Sequence, residues 1–148
     1  MKLTDALLGE HAVIYELFDH VRYTILKSDD IQDIHGAVVV VEKLLGSHAR
    51  IEDDLLFSRL EPHLGQMGPL AMMRDEHRAI DDLLEVARRE TDIAALKSTI
   101  GQLLDLTHDH FQKEETVLFP MARQCLGEAT LTELGDEWAA SGNVTVNG

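Results

Sequence analysis

A short motif that occurs twice constrains the fold of this chain more than any other feature of the sequence. One copy begins at His48 and the other at His110, and each reads His-x-x-x-Glu, then an acidic residue, then Leu-Phe at the same offset. Residues i and i+4 lie on one face of an α-helix, so each copy directs an imidazole and a carboxylate toward the same point. Both groups are common metal ligands. The motif therefore predicts two helices that each carry half of a metal site.

A second pattern alternates with the first. Glu10-His11 and Glu76-His77 are each followed by isoleucine three residues after the histidine and by leucine six residues after it. The order along the chain is then Glu-His, His-x-x-x-Glu, Glu-His, His-x-x-x-Glu, which is a two-helix unit repeated once. A repeated helical pair with short loops predicts an up-down-up-down four-helix bundle with pseudo-twofold symmetry.

Hydrophobic periodicity supports an all-α fold. Apolar residues recur at spacings of three and four almost throughout, and no alternating strand pattern of useful length is present. We expect four long helices, a short C-terminal helix and, after residue 140, a flexible tail with little apolar content, with residues 1–140 forming one domain. The expected helices span about Thr4 to Lys27, Asp30 to Leu60, Pro69 to Arg89, Asp92 to Gly127 with an interruption at Pro120, and Glu128 to Ala140.

Composition excludes several classes of function. The net charge of −14 repels phosphate backbones and argues against nucleic acid as a partner. The sequence has no apolar run of the roughly 20 residues that a membrane span needs and no recognisable signal peptide, so we expect a cytoplasmic protein that does not bind membranes. A single cysteine, Cys125, allows neither an internal disulfide nor a thiolate cluster. Any metal must therefore be held by nitrogen and oxygen.

Six residues are candidate ligands because they combine metal-binding chemistry with apolar surroundings. One histidine on an apolar stripe is usually a hydrogen-bonded core residue, but here each long helix has one at its centre. Burying an ionised carboxylate without a partner costs several kcal/mol or more, and the inner stripes offer no basic residue close to Glu52 or Glu114. The candidates are His11, His48, Glu52, His77, His110 and Glu114.

The other titratable residues near these positions fit a ligand role less well. Asp53 and Glu115 follow the motif glutamates, but at i+5 they point about 140° from the histidine, against about 40° for the i+4 residue. They remain the alternatives to Glu52 and Glu114. The remaining histidines fall on outer faces, caps or loops and are expected at the surface: His20, His35, His63 and His108. Of these four, His108 is the alternative that could replace a chosen ligand.

Four imidazoles and two carboxylates suit two metal ions, each held by two histidines and bridged by the glutamates. Six protein ligands leave both ions short of octahedral coordination, so exogenous ligands can bind. Nitrogen and carboxylate ligands with open positions favour iron or manganese, and zinc is possible. The ferritin-like alternative would need Glu-x-x-His in two helices, and only Asp105 and His108 approach that pattern, once and on an outer face.

From about residue 3 to residue 125 the arrangement resembles the haemerythrin-like, or HHE cation-binding, family of up-down four-helix bundles. The resemblance implies two iron ions with an oxo or hydroxo bridge, held by the six candidate residues. It also implies that the centre binds dioxygen reversibly, senses it, or reacts with peroxide or nitric oxide. Met73 stands where oxygen carriers of the family have a fifth histidine, and the last carboxylate follows its histidine at i+4 rather than i+5. These departures favour sensing or iron-centre repair over simple oxygen carriage.

Three functions follow as hypotheses. The leading one is a di-iron protein that binds or senses dioxygen or nitric oxide, in which Tyr15 either packs in the core or donates a hydrogen bond to the bound ligand. The second is a di-iron enzyme that handles peroxide or nitric oxide or takes part in iron-centre repair. The third is a metal-free helical interaction protein that contacts an unspecified protein partner around an exposed Trp138.

Overall fold

The computed structural model describes residues 1–142, and this range contains helices and no strand. The elements are α1 (Leu3–Lys27), α2 (Ile31–Ile51), π1 (Glu52–Phe57), α3 (Ser58–Leu64), α4 (Pro69–Arg89), α5 (Ile93–Lys113), π2 (Glu114–Leu118) and α6 (Phe119–Ser141), where π1 and π2 are π-helical segments. The segment π1 joins α2 to α3 without a break, and π2 joins α5 to α6. The predicted all-α bundle is therefore confirmed. Of the predicted tail, residues 143–148 lie outside the described range.

Helix starts follow local chemistry that the sequence makes visible. The side chain of Asp30 accepts a hydrogen bond from the Gln32 backbone N–H at 2.9 Å, and Asp92 accepts one from the Ala95 N–H at 2.9 Å. These caps satisfy backbone donors that have no partner within the helix. Pro69 opens α4, where its missing N–H costs nothing. The loops can therefore be short, and successive helices pack side by side.

Two prolines disturb the helices less than expected. Pro62 lies inside α3, and the helix continues to Leu64 rather than ending near Leu60; Gly65, at φ 75°, then ends it. Pro120 occupies the first turn of α6 directly after π2, so the helix passes through it without the predicted interruption. Gly127 does interrupt α6, with φ 76° and ψ 169°, and separates the predicted short C-terminal helix. A left-handed φ is readily available only to glycine.

Two apolar clusters form the core, and the candidate ligands lie between them. Each candidate histidine is flanked along its own helix by residues of both clusters; His11, for example, lies between Leu7 and Ile14. The first cluster includes Ile14, Phe18, Val41, Leu45, Ile80, Leu84, Leu103 and Phe111. The second includes Leu3, Leu7, Leu56, Phe57, Met73, Leu118, Phe119 and Leu134. The six candidate ligands thus form a polar layer with one apolar cluster on each side of it along the helix axes.

The last part of α6 folds back over the start of α1. A Cβ atom at Gly135 would lie 1.9 Å from the carbonyl oxygen of Met1, so only glycine permits this approach. The packing brings Trp138 against Glu10, and the indole is partly buried rather than exposed as expected. Within the described range, no helix is both long enough and apolar enough to cross a membrane.

Candidate metal centre

The structure brings all six candidate side chains together in the layer between the two clusters. They form two overlapping groups whose ligand atoms lie within 4.8 Å of one another: His11, His48, Glu52 and Glu114; and His77, His110, Glu52 and Glu114. Both glutamates are 0% exposed. Each group therefore holds two imidazoles of its own and shares both carboxylates.

Interatomic distances show how the carboxylates are shared. The Nε2 atoms of each histidine pair are 3.0 Å apart. Glu52 places Oε1 2.7 Å from His48 Nε2 and Oε2 3.1 Å from His77 Nε2, so it reaches both groups. Glu114 Oε1 lies 3.3 and 3.4 Å from the Nε2 atoms of the other two histidines, one in each group. Each carboxylate therefore lies between the two histidine pairs, where it could contact ions held by both.

Unpaired polar atoms indicate that the centre is built for cations. Among the described residues, six buried side-chain nitrogen or oxygen atoms lack a hydrogen-bond partner. Three of them are carboxylate oxygens of Glu52 and Glu114, and two are the outer Nδ1 atoms of His11 and His77. Buried polar atoms normally have partners, because leaving one unpaired is costly. Two atoms bound at right angles to one ion, each ~2.1 Å from it, lie ~3 Å apart, which matches the paired Nε2 atoms. The residues present therefore fit two ions held by nitrogen and oxygen.

A second set of carboxylates surrounds the imidazoles. His48 donates through Nδ1 to Glu10 Oε1 at 2.7 Å, and His110 donates through Nδ1 to Glu76 Oε1 at 3.0 Å. At longer range, the Nδ1 atoms of His11 and His77 lie 3.5 Å from Glu115 Oε2 and 3.6 Å from Asp53 Oδ1. A proton held on Nδ1 leaves the Nε2 lone pair facing the centre and fixes the ring.

The sequence pattern did not predict that these carboxylates lie beside the outer edges of the imidazoles, because it presents Asp53 and Glu115 only as alternative ligands. Their signal was present, since Glu10 and Glu76 are the first residues of the repeated Glu-His pairs. Asp53 and Glu115 are the repeated acids that follow the motif glutamates. Their i+5 positions direct them away from the centre, to the outer edges of the rings.

Further hydrogen bonds fix three of the outer carboxylates. The Trp138 indole N–H donates to Glu10 Oε2 at 2.7 Å, and Lys113 Nζ donates to Glu76 Oε2 at 2.5 Å. The Tyr15 hydroxyl donates to Glu115 Oε2 at 2.6 Å. Tyr15 is thus neither simple packing nor a donor directed at the centre, because its proton is held by an outer carboxylate.

The repeated Leu-Phe element also has a role here. Phe57 stacks on His77 with ring centroids 5.5 Å apart, and its counterpart Phe119 stacks on His11 at 5.6 Å. Each phenylalanine comes from the helix that supplies a bridging glutamate. The motif therefore carries a pair of candidate ligands, an outer acid and an aromatic ring that packs against the centre.

Each bridging glutamate is also the first residue of a π-helical segment. A π-helical turn holds more residues than an α-helical one, so side chains beyond it point in directions that a continuous α-helix would not give. Such segments occur frequently at functional sites. A hydrophobic pattern with a period of 3.6 residues carries no signal for them.

Charges within the centre shift the pKa values of its residues in opposite directions. Burial, reinforced by the adjacent Glu52 carboxylate, raises the pKa of Glu114 well above its usual range. Burial also acts to raise the pKa of Glu52, but the His48 charge and the close polar contacts with Glu114, His11 and His48 together outweigh it and lower that pKa. Burial acts to lower the pKa of His48, yet Glu52 and Glu10 raise it to about 9. Protons thus balance part of the negative charge, and metal cations would displace them.

The remaining histidines lie away from the centre. His20, His63 and His108 are exposed. His35 donates through Nε2 to the Glu90 carbonyl at 2.8 Å. All four positions agree with the expected surface or capping roles.

The curated proteins that are similar to this chain include two different kinds. A DNA nickase from Nostoc sp. is 28% identical over 94% of this chain, but the match covers only 37% of the nickase. The iron-sulfur cluster repair protein YtfE from Escherichia coli O157:H7 is 27% identical over 75% of this chain and 67% of YtfE. No solved structure gave a significant match.

A family model gives the broader assignment. The model, described as the Hemerythrin HHE cation binding domain, matches residues 2–122 and separately residues 69–140. The second match begins at Pro69, the first residue of α4, where the second helical unit starts. The protein therefore belongs to the hemerythrin HHE cation-binding domain family.

Proposed function

We propose that the protein is a non-haem di-iron protein that binds or senses dioxygen or nitric oxide. The observation that carries this proposal is the convergence of two buried carboxylates and four imidazoles, in which three of the four carboxylate oxygens, Glu52 Oε1 and both oxygens of Glu114, make no hydrogen bond. Two bound iron ions would supply electrons and open coordination positions for a small ligand. The proposed ligands are His11, His48, Glu52, His77, His110 and Glu114.

The protein's own residues prepare the centre for that chemistry. Glu10 and Glu76 hold protons on the Nδ1 atoms of His48 and His110, which keeps these two imidazoles in the orientation and tautomer that a metal needs. Phe57 and Phe119 stack on imidazoles and, together with the apolar clusters, exclude water. A dry, preorganised centre keeps its donors directed inward when a ligand enters.

Iron quantitation tests the proposal directly. Metal-free protein reloaded anaerobically with iron(II) should bind two irons per chain and develop a near-ultraviolet or blue charge-transfer band on exposure to air. Glu52→Gln and Glu114→Gln should each lower the iron content, because the amide removes a bridging charge, whereas Glu133→Gln at an exposed position should not. Wild-type protein that binds far less than two irons would overturn the proposal. Variants that keep full iron but become more stable would favour the metal-free interaction protein.

A second candidate function is enzymatic, and the likeness to an iron-sulfur cluster repair protein favours it. In this alternative the same six residues hold an iron centre that turns over peroxide or nitric oxide, or that takes part in iron-centre repair. Oxygen evolution from peroxide that is lost in His77→Ala would support it. A stable ligand adduct without turnover would count against it. The nickase likeness supports no nicking activity here, because the net charge of −14 repels DNA.

A further inference from the structure

The two histidine pairs are covered differently, although the sequence repeat relates them. Around His11, the Phe111 ring stacks with centroids 3.8 Å apart and planes within 8° of parallel. Tyr15 approaches the same imidazole edge-on at 6.2 Å, and His108 packs against Tyr15 at 5.3 Å. Three rings therefore lie over this side of the centre.

The related positions around His77 carry much smaller side chains. Residue numbers differ by 66 between α1 and α4 and by 62 between the two His-x-x-x-Glu helices. The counterparts of Phe111, Tyr15 and His108 are Ala49, Asp81 and Gly46. A Cβ atom built at Gly46 would meet nothing within 4 Å. Accordingly, the His77 side chain is 12% exposed, whereas that of His11 is 0% exposed.

A small cavity lies where the missing ring would be. Its volume is about 20 Å³. The imidazoles of both histidines of the second group line it, with one histidine of the first group and four apolar residues: His77, His110, His48, Leu45, Ala49, Ile80 and Phe111. Holding one water molecule takes roughly 10–15 Å³, so there is room for a molecule of very few atoms. Exposed Asp81 also lines the cavity, which therefore extends to the protein surface.

We propose that a small uncharged ligand, such as dioxygen or nitric oxide, enters through this cavity and binds at the centre beside His77 and His110, on the side away from His11. This inference rests on the proposed function and specifies which half of the centre receives the ligand. The apolar lining favours an uncharged molecule. The carboxylates of Asp81 and of Asp53, 3.6 Å from His77 Nδ1, disfavour an anion.

Xenon tests the cavity without any metal. Metal-free protein under xenon pressure should show methyl NMR shifts at Ala49, Leu45 and Ile80, because dry apolar cavities bind xenon. Ala49→Phe supplies the missing ring and should abolish these shifts. Ala94→Phe adds the same ring at an exposed position near the start of α5 and should leave them unchanged. Wild-type protein without xenon shifts at these methyl groups would overturn the inference.

Nitric oxide tests the route in iron-loaded protein. Ala49→Phe should slow nitric oxide binding by roughly tenfold or more, because the ring occupies the space the ligand needs, while iron per chain stays at the wild-type value. Ala94→Phe should bind nitric oxide at the wild-type rate. If Ala49→Phe does not fold, the smaller substitution Ala49→Leu is measured instead, and it should also slow nitric oxide binding. Low iron in wild-type protein would overturn the proposed function itself. Full iron with an unchanged rate in the Ala49 variant would overturn only this inference.

Discussion

Two hydrogen-bonded arms run outward from the centre and end in chemically different donors. The repeat reproduces their inner two members, an imidazole that donates to a glutamate. The outermost member differs, being a neutral indole in one arm and an ammonium in the other. We name them the Trp arm, Trp138–Glu10–His48, and the Lys arm, Lys113–Glu76–His110.

The difference shows that a duplicated set of ligands need not produce two equivalent half-sites. Lys113 comes from the same helix as His110, and its side chain is 47% exposed. Trp138 comes from the end of α6, which is 128 residues from Glu10 in the sequence, and it is partly buried. The ammonium offsets the charge of Glu76, whereas the indole leaves the full carboxylate charge of Glu10 next to His48. Burial lowers the pKa of His110, while that of His48 is raised to about 9.

Removing the carboxylate of either arm should have the largest effect on metal binding. Glu10→Ala and Glu76→Ala each leave an Nδ1–H without its acceptor, and loss of such a partner typically costs roughly 10–100-fold in metal affinity. We expect the larger loss in the Trp arm, because Glu10 has no ammonium to reduce its charge. Iron(II) titration against a competing chelator measures both values. Glu16→Ala, at an exposed position in α1, is the matched control. Equal losses of metal affinity in the two arms would show that the Lys113 ammonium does not make them different.

Several features of this centre were predictable because their causes are local. The i, i+4 spacing of His48 and Glu52 already directs both side chains to one point, and the repeat supplies the second pair. The cap at Asp30 and the left-handed Gly127 likewise act on their own neighbourhood. The i, i+4 pair, the cap and the glycine each depend only on the backbone geometry of a few consecutive residues.

Other features depended on tertiary packing and were not predicted. The hydrogen bond of the Trp arm joins Trp138 to Glu10 across 128 residues, and it exists because α6 docks on α1. Gly135 permits that docking, but a glycine within a helix does not indicate from the sequence which segment packs against it. The segments π1 and π2 likewise have no local signature at the helical period. The six side chains could therefore be listed from sequence, whereas the support around them could not.

Removing the outermost donors should have a smaller effect, seen in the stability of the metal-free protein. Trp138→Phe keeps a ring but deletes the N–H that pairs with a carboxylate, which should lower the free energy of unfolding by about 1.5–3 kcal/mol. Lys113→Met breaks a pair that solvent screens, so we expect a loss of less than about 1 kcal/mol. Urea unfolding of both variants measures the difference. A Lys113 variant that loses as much stability as the Trp138 variant would show that exposure does not separate the arms.

The smallest expected effect is on the protons released when metal binds. At pH 7 a histidine whose pKa is about 9 carries its extra proton, and His48 and His77 both have pKa values raised to about 9. Metal needs neutral imidazoles, so loading releases these protons, and affinity should rise with pH until the pH passes about 9. Glu10→Gln removes a charge that helps to raise the pKa of His48 and should reduce proton release by a fraction of a proton per chain. Glu76→Gln should leave release nearly unchanged, because the lowered pKa of His110 means that this ring is already neutral. Calorimetric titration in two buffers of different ionisation enthalpy counts the released protons. If both variants reduced proton release equally, the imidazoles of the two arms would have the same charge state.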